Sequence, residues 1–389
     1  MRLRGDPDSY WGDLPDELLV IIAQKAPRTN VQYVRLRSVC KAWRRALPPR
    51  PRHLLPPVPW LLLPRLPLHT CRKFRIPDSL FTFFDLSRSK TIQIRLPYVS
   101  GKHICGSSYG WLILEQHPAV SLLNPITQAT ILLPSLDAPP SIILTPTTSQ
   151  TETETETGRG ERPEFSDQKS EYNNCILKAS LSCNPTEPGC VVVAWFLSSS
   201  NWELAFCRIG DAHWTGLKMW SAQPKLLDFT FHSNSVYTLN SVNEVCVYDL
   251  QNLPTWNLHS NFRYGINICN KQVILVEGDA DSGGPLVVEN TNVVYKWFAN
   301  HRRWLPVHDI GSRVLFLNPR HSINLQWDEG RENEIYYDIM HSGNGDGRFH
   351  VGINRLKLGT GMILPRNPRP MGLFFTIPGL PLWITPSLT

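Results

Sequence analysis

Only 5 methionines stand in these 389 residues, against 33 prolines. Proline removes a backbone donor and clashes with the preceding turn, so such a chain favours turns and extended segments over long helices. No run of about twenty apolar residues occurs, which excludes a membrane-spanning helix. The opening Met1-Arg2-Leu3-Arg4-Gly5-Asp6-Pro7-Asp8 has no apolar stretch, so no secretory leader is expected. Closely paired cysteines are missing as well. The 9 cysteines, at 40, 71, 105, 175, 183, 190, 207, 246 and 269, are odd in number and irregular in spacing. That pattern speaks against a disulfide framework, and reduced, mostly buried thiols are the better reading.

What is present points to a packed, β-rich protein. Apolar residues make up 42% of the chain, enough for a substantial core. Thirteen tryptophans suit half-buried strands. The net charge of +6 is unevenly placed. Residues 1–76 hold 15 Lys and Arg against 5 Asp and Glu, which leaves 24 against 28 for the rest. A nucleic-acid reader carries its basic patch on the folded body. Here the body is mildly acidic, so neither nucleic acid nor membrane is an expected partner.

Order signals begin at Trp11. Asp13 can cap a helix that Pro15 opens, and Asp16 and Glu17 complement the positive end of its dipole. Leu14, Leu18, Ile21 and Ile22 recur at helical spacing, and Ala26-Pro27 ends the run. A second helical stretch opens at Asn30 and carries Leu36, Val39, Cys40, Trp43 and Leu47 to the stop at Pro48-Pro49. About thirty-five residues cannot bury both apolar stripes alone, so one face is left for another surface.

These residues resemble the F-box. The match rests on Leu14-Pro15-Asp16-Glu17-Leu18-Leu19, followed by Ser38-Val39-Cys40-Lys41-Ala42-Trp43-Arg44 at the usual separation. The resemblance implies docking on a Skp-type adaptor, and through it on a cullin, by Leu14, Pro15, Leu18, Leu19, Ile22, Val39 and Trp43. The unit is placed at 10–47.

Residues 48–71 alternate proline with leucine and read as an extended strap. From 72 to 365 short apolar runs alternate with turn residues, the pattern of strands. Val236-Tyr237-Thr238-Leu239, Val294-Tyr295-Lys296-Trp297 and Ile335-Tyr336-Tyr337 open a loose repeat, 58 and 41 residues apart. Units of that length favour an irregular β-propeller over a sandwich. The expected fold is therefore mainly β with a small all-α amino-terminal unit. Residues 145–171, centred on the Thr-Glu repeat at 151–157, read as a disordered insert, and 366–389 as a tail. Cys105-Gly106-Ser107-Ser108-Tyr109-Gly110-Trp111, Leu122-Leu123-Asn124-Pro125 and Arg303-Trp304-Leu305-Pro306 resemble a plant family that joins an F-box to a KIB-type β-propeller.

Three tempting sites lack their chemistry. Asp281-Ser282-Gly283-Gly284-Pro285 copies a protease nucleophile segment without a histidine base in context, and reads as a turn. Cys175, Cys183 and Cys190 lack metal-ligand spacing. Gly343-Asn344-Gly345-Asp346-Gly347 lacks the lysine and the helix of a phosphate loop. No catalytic residue, metal or cofactor is expected. The expectation is a non-catalytic substrate receptor of a Skp–cullin–F-box ubiquitin ligase, holding an unnamed target on the propeller, in the nucleus and/or cytoplasm. A scaffold or competitor that binds only the adaptor is the alternative, and an enzyme with a propeller-end site is a third class.

Overall fold

In the computed structural model the described residues are 14–25, 33, 36–48, 58–63, 79–136, 176–196, 204–217, 226–240, 245–251, 273–278, 284–289, 293–298, 303–326, 333–342, 349–358 and 382–387. Asp13, the insert at 145–171, Cys175, residues 281–283 and the loop at 343–347 lie outside them. The amino-terminal unit contains α1 (Asp16–Lys25) and α2 (Lys41–Ala46). Pro15 stands just before α1, and its carbonyl accepts from the amides of Leu18 and Leu19, both at 3.1 Å. The second helical stretch is interrupted at Ser38–Cys40. Cys40 restarts it, its sulfur accepting from the Trp43 amide at 3.5 Å.

The body is a six-bladed β-propeller. Blade I holds β1 (Trp60–Leu62), β2 (Leu80–Asp85) and β3 (Lys90–Arg95). Blade II is β4 (His103–Ser108), β5 (Trp111–Gln116), β6 (Ala119–Leu123) and β7 (Thr130–Leu132). Blade III is β8 (Ile176–Leu181), β9 (Val191–Phe196), β10 (Leu204–Arg208) and β11 (Thr215–Leu217). Blade IV shows β12 (Leu226–His232), β13 (Ser235–Asn240) and β14 (Val245–Asp249). Blade V is β15 (Val273–Val276), β16 (Leu286–Glu289), β17 (Val293–Phe298) and β18 (Arg303–Val307). Blade VI is β19 (Arg313–Leu317), β20 (Ile323–Gln326), β21 (Glu334–Ser342) and β22 (Phe349–Lys357), in the spatial order β20-β19-β21-β22 with β19 parallel to β21. The last strand, β23 (Leu382–Ile384), returns to blade I and pairs with β1.

This closure corrects two boundaries. The strap at 48–71 and the tail at 366–389 each supply a strand of the propeller, so blade I is built from both ends of the domain. A three-residue apolar strand between prolines has too few alternations to be read as a strand, and its partners are far away in sequence. The repeat seen at Val236, Val294 and Ile335 falls on β13, β17 and β21, one in each of three blades, but starts inside the blade rather than at its first strand.

Six apolar clusters fill the six gaps between neighbouring blades. Trp111, Ile113 and Ile176 lie between II and III, for example, and Trp383 and Phe316 between I and VI. One or more polar links also join each neighbouring pair. Ser107 Oγ donates to the Trp383 carbonyl (2.6 Å), and the Ser108 and Ser180 hydroxyls are 2.9 Å apart. Lys178 Nζ meets Asp228 at 2.6 Å, and the Leu275 amide donates to the same carboxylate at 2.8 Å. Asn324 Nδ2 donates to the Glu277 carbonyl (2.9 Å), and Trp383 Nε1 to the Leu317 carbonyl (3.2 Å). Each pair of blades thus has an apolar filling and a specific polar link, which fixes their rotation about the axis.

Three consecutive inner strands carry a register shift at the same place, between Ile104/Gly106, Ile176/Lys178 and Leu226/Asp228. A bulge bends its strand and redirects the side chains beside it. The residue after each shift is Gly106, Lys178 or Asp228. Gly106 has no room for anything larger, since a Cβ there would lie 2.1 Å from the Ala179 carbonyl oxygen.

Candidate functional site

Two surfaces with separate chemistry stand out. The first belongs to the helical unit. Its core is Leu19, Ala23, Tyr33, Trp43 and Leu47, closed by the Tyr33 hydroxyl donating to the Pro48 carbonyl at 2.8 Å. Leu19 and Ala23 are four residues apart and face inward together. The opposite stripe of α1 is left in solvent: Pro15 is exposed, and Leu18 and Ile21 are each 46% exposed. Val39, in the turn before α2, is 56% exposed. Leu14 and Ile22 are half-buried.

The seven residues named from the sequence therefore divide. Pro15, Leu18 and Val39 lie on the surface, with Leu14 and Ile22 at its margin. Leu19 (1% exposed) and Trp43 (4%) lie in the core of the unit. Ile21 is as exposed as Leu18, although the sequence reading placed it only in the apolar stripe and not among the seven. Helical spacing cannot tell which flank of a wide apolar stripe turns inward.

The second surface is the end of the propeller where β8, β12 and β15 finish. Near it, Lys178 and Asp228 face each other between blades III and IV, both almost fully buried. Asp228 also accepts from the Phe229 amide (2.8 Å), and Lys178 donates to the Phe229 carbonyl (3.0 Å). Burial pushes the Asp228 carboxyl above its ordinary range, while the Lys178 ammonium opposes that shift. His321 is half-buried. Burial, aided by the Lys178 charge, lowers its imidazole to about 3, so it stays neutral.

A pocket of about 270 Å³ opens between blades III and IV, lined by Ser182, Cys183, Gly189, His232, Asn234 and Glu277 among others. Glu277 is accessible from solvent, yet its surroundings withdraw enough water to raise its carboxyl to about 7, against an opposing pull from Arg313. The folded chain thus holds this proton more tightly than the unfolded one. Glu277 favours folding fully below about pH 4.5 and loses that contribution as pH rises through about 7. Glu277→Gln should therefore gain stability relative to the parent between pH 5 and pH 8. The gain should be small because the group is screened by solvent. Thermal unfolding of both proteins at the two pH values checks this.

Six described cysteines are all free thiols, and Cys105, Cys190, Cys207 and Cys246 are buried. Cys183 and Cys190 flank the β8–β9 turn, where Cys190 donates to the Cys183 carbonyl at 3.2 Å. Burial pushes the Cys190 thiol up to about 12, which suits an inert packing residue. One cluster escaped the sequence reading. His103, Cys105 and Glu115 bring three ligand-type atoms within 4.8 Å of one another. Among the described residues no helix is long and apolar enough to cross a membrane.

Comparison with known proteins agrees with this division of the chain. An F-box domain model matches residues 11–50, and a KIB1-4 beta-propeller model matches residues 83–356. No curated protein matches the chain in sequence. Similar solved structures include YCF48 bound to D1 peptide, at 12% identity and a TM-score of 0.35, covering 64% of this chain and 68% of that one. A calcium-binding regucalcin from Agrobacterium tumefaciens is 10% identical with a TM-score of 0.32, covering 59% and 66%. The WD40 domain of SCAP from fission yeast is 13% identical with a TM-score of 0.32, covering 72% and 55%. Likenesses this loose bear on neither activity nor partners. The two family matches, in order and over most of the described residues, show that this chain belongs to the KIB1-4 beta-propeller family and carries an F-box domain ahead of its propeller.

Proposed function

We propose that the protein is the substrate-receiving subunit of a Skp–cullin–F-box ubiquitin ligase, acting in the nucleus or cytoplasm. The helical unit holds the Skp-type adaptor, and the adaptor connects it to the cullin. The propeller holds a target protein at the end that carries the Glu277 pocket. Such a subunit catalyses nothing itself. It raises the effective concentration of its target beside a ubiquitin-charged enzyme.

The observation that carries this reading is the exposed stripe Pro15, Leu18 and Ile21, with Val39, on a unit whose core is already complete without them. An apolar stripe left half in solvent on a unit whose core excludes it supports a surface that a partner covers. The pocket between blades III and IV is large enough for one side chain of a target, with the Glu277 carboxyl at its edge.

Replacing Leu18 and Ile21 together by glutamate tests the docking half. Both side chains point away from the core, so the fold should survive with unchanged thermal unfolding. Adaptor affinity should fall about 30-fold or more, the loss expected when interface anchors are removed. Unchanged capture of a purified Skp-type adaptor would count against the assignment. Co-purification of a cullin with the parent protein, lost in the same variant, separates a ligase subunit from a scaffold that binds only the adaptor.

A further inference from the structure

We infer that His103, Cys105 and Glu115 form a binding site for a zinc-class divalent cation at the edge of blades II and III. The three residues come from one hairpin. His103 opens β4 and lies directly opposite Glu115 near the end of β5. Cys105 is the extra residue of the bulge between Ile104 and Gly106. A regular strand already puts residues 103 and 105 on one face, and the bulge bends the second of them towards the cross-strand pair.

The distances fit a metal. Cys105 Sγ lies 3.6 Å from His103 Nδ1 and 3.8 Å from Glu115 Oε2, and the nitrogen lies 3.5 Å from that oxygen. Zinc bonds of about 2.3 Å to sulfur and about 2.0–2.2 Å to nitrogen and oxygen, set at tetrahedral angles, separate the ligand atoms by about 3.3–3.6 Å. Two separations lie within this range and the third is a few tenths longer, so an ion could enter with little movement. The two sulfur contacts also serve as hydrogen bonds without an ion, but the nitrogen–oxygen contact does not: 3.5 Å is long for such a pair, which favours 2.7–3.2 Å.

The surroundings suit the charges. Glu115 is fully buried, and its Oε2 also accepts from the Ile176 amide in β8 at 3.1 Å. That bond orients the carboxylate as outer-shell partners of metal ligands do. Arg320 reaches across from blade VI and donates to the carbonyl of Ile104 at 2.7 Å, beside Cys105. Its positive charge favours the thiolate. On binding, the Cys105 sulfur gives its proton to solvent, and thiolate plus carboxylate then neutralise the two charges of the ion. The His103 side chain is 21% exposed, whereas that of Glu115 is fully covered, so the fourth position opens on the histidine side to water. The ion would clip β4 to β5 and hold them against β8 through the Ile176 bond. Its role would be to fix this end of the propeller.

Cobalt titration of the chelator-stripped full chain tests this. Co²⁺ should bind at one equivalent with the intense visible bands of a tetrahedral site and a near-ultraviolet thiolate-to-cobalt band. Zn²⁺ should displace it, and saturating Zn²⁺ should raise the unfolding temperature by linkage. His103→Gln, at the partly exposed position, should keep the fold and weaken Co²⁺ binding at least about 100-fold, the upper end of losses seen even for outer-shell partners. Cys105→Ser should remove the near-ultraviolet band. Absence of a thiolate-to-cobalt band from the parent protein overturns the proposal, and so does a band that survives unchanged in folded His103→Gln.

Discussion

A chain beginning at residue 70 should fail to fold, whereas one beginning at residue 58 should unfold in a single cooperative transition. The difference is β1. Leu61 is fully buried, and Trp60 and Leu62 nearly so. β1 lies between β2 and β23, pairing Leu61 with Phe84 on one side and with Trp383 on the other. Without it β23 has no partner strand, and Leu382, Trp383 and Ile384 lose their place. Each of these six side chains contributes about 1.5–3 kcal/mol by leaving water. Their sum is of order 10 kcal/mol, comparable with the whole stability of an ordinary domain. Removing residues 382–389 should do the same from the other end, and leave β1 as an open edge prone to aggregation. Within the full chain, Trp383→Ala should cost about 3–5 kcal/mol. It removes the hydrogen bond to Leu317 and the ring contact with Phe316 at 5.1 Å as well as the burial. Urea unfolding followed by tryptophan fluorescence and circular dichroism measures all three. A soluble, cooperatively folded chain from residue 70 onward would refute the account of blade closure.

The second large effect is expected at Lys178→Met, which should destabilise the propeller by about 3–5 kcal/mol, the cost of leaving a buried partner charge uncompensated. The stranded group is Asp228, whose carboxylate also fixes the start of blade V through the Leu275 amide. Burial already raises this carboxyl, and the ammonium is the largest force holding it down. Losing the ammonium raises it further, so the variant folds with a carboxyl that prefers its proton. A carboxyl with a raised folded value supports folding at low pH and loses that support as pH rises. The penalty should therefore be smaller at pH 5 than at pH 8. Pairing Lys178→Met with Asp228→Asn should recover part of the loss: no charge remains, but the Phe229 and Leu275 amides bond to different oxygens of Asp228, and the single amide oxygen can replace only one of them. Denaturant unfolding of the two single variants and the double completes the cycle. A penalty that grows as pH falls would contradict the ion-pair explanation.

The F-box was legible because its signal is local. Leu14-Pro15 and Val39 to Arg44 stand within one short unit, and helical spacing marks the apolar stripe. Inward and outward flanks of that stripe were not legible, because Leu18 and Leu19 are both leucines and only packing against Tyr33 and Trp43 distinguishes them. Alternating apolar runs also announced the blades. The His103, Cys105 and Glu115 cluster left a faint trace, His-x-Cys entering a hairpin with Glu at the matching register after the Tyr109-Gly110 turn. Reading it required knowing that the pairing shifts by one residue at Cys105.

By itself the sequence determined what short-range chemistry can set: a helical unit with an unspent apolar face, a β-rich body, thiols without disulfide spacing, and turns at the strand ends. Tertiary structure alone decided how the ring closes, which inner strands bulge, and which charges meet across blades. Those outcomes depend on pairings such as Leu62 with Leu382 and Lys178 with Asp228, which join residues far apart along the chain. Strand register carries no local code at such separations. It is fixed only when burial of one face and pairing of both edges are satisfied around the whole ring at once.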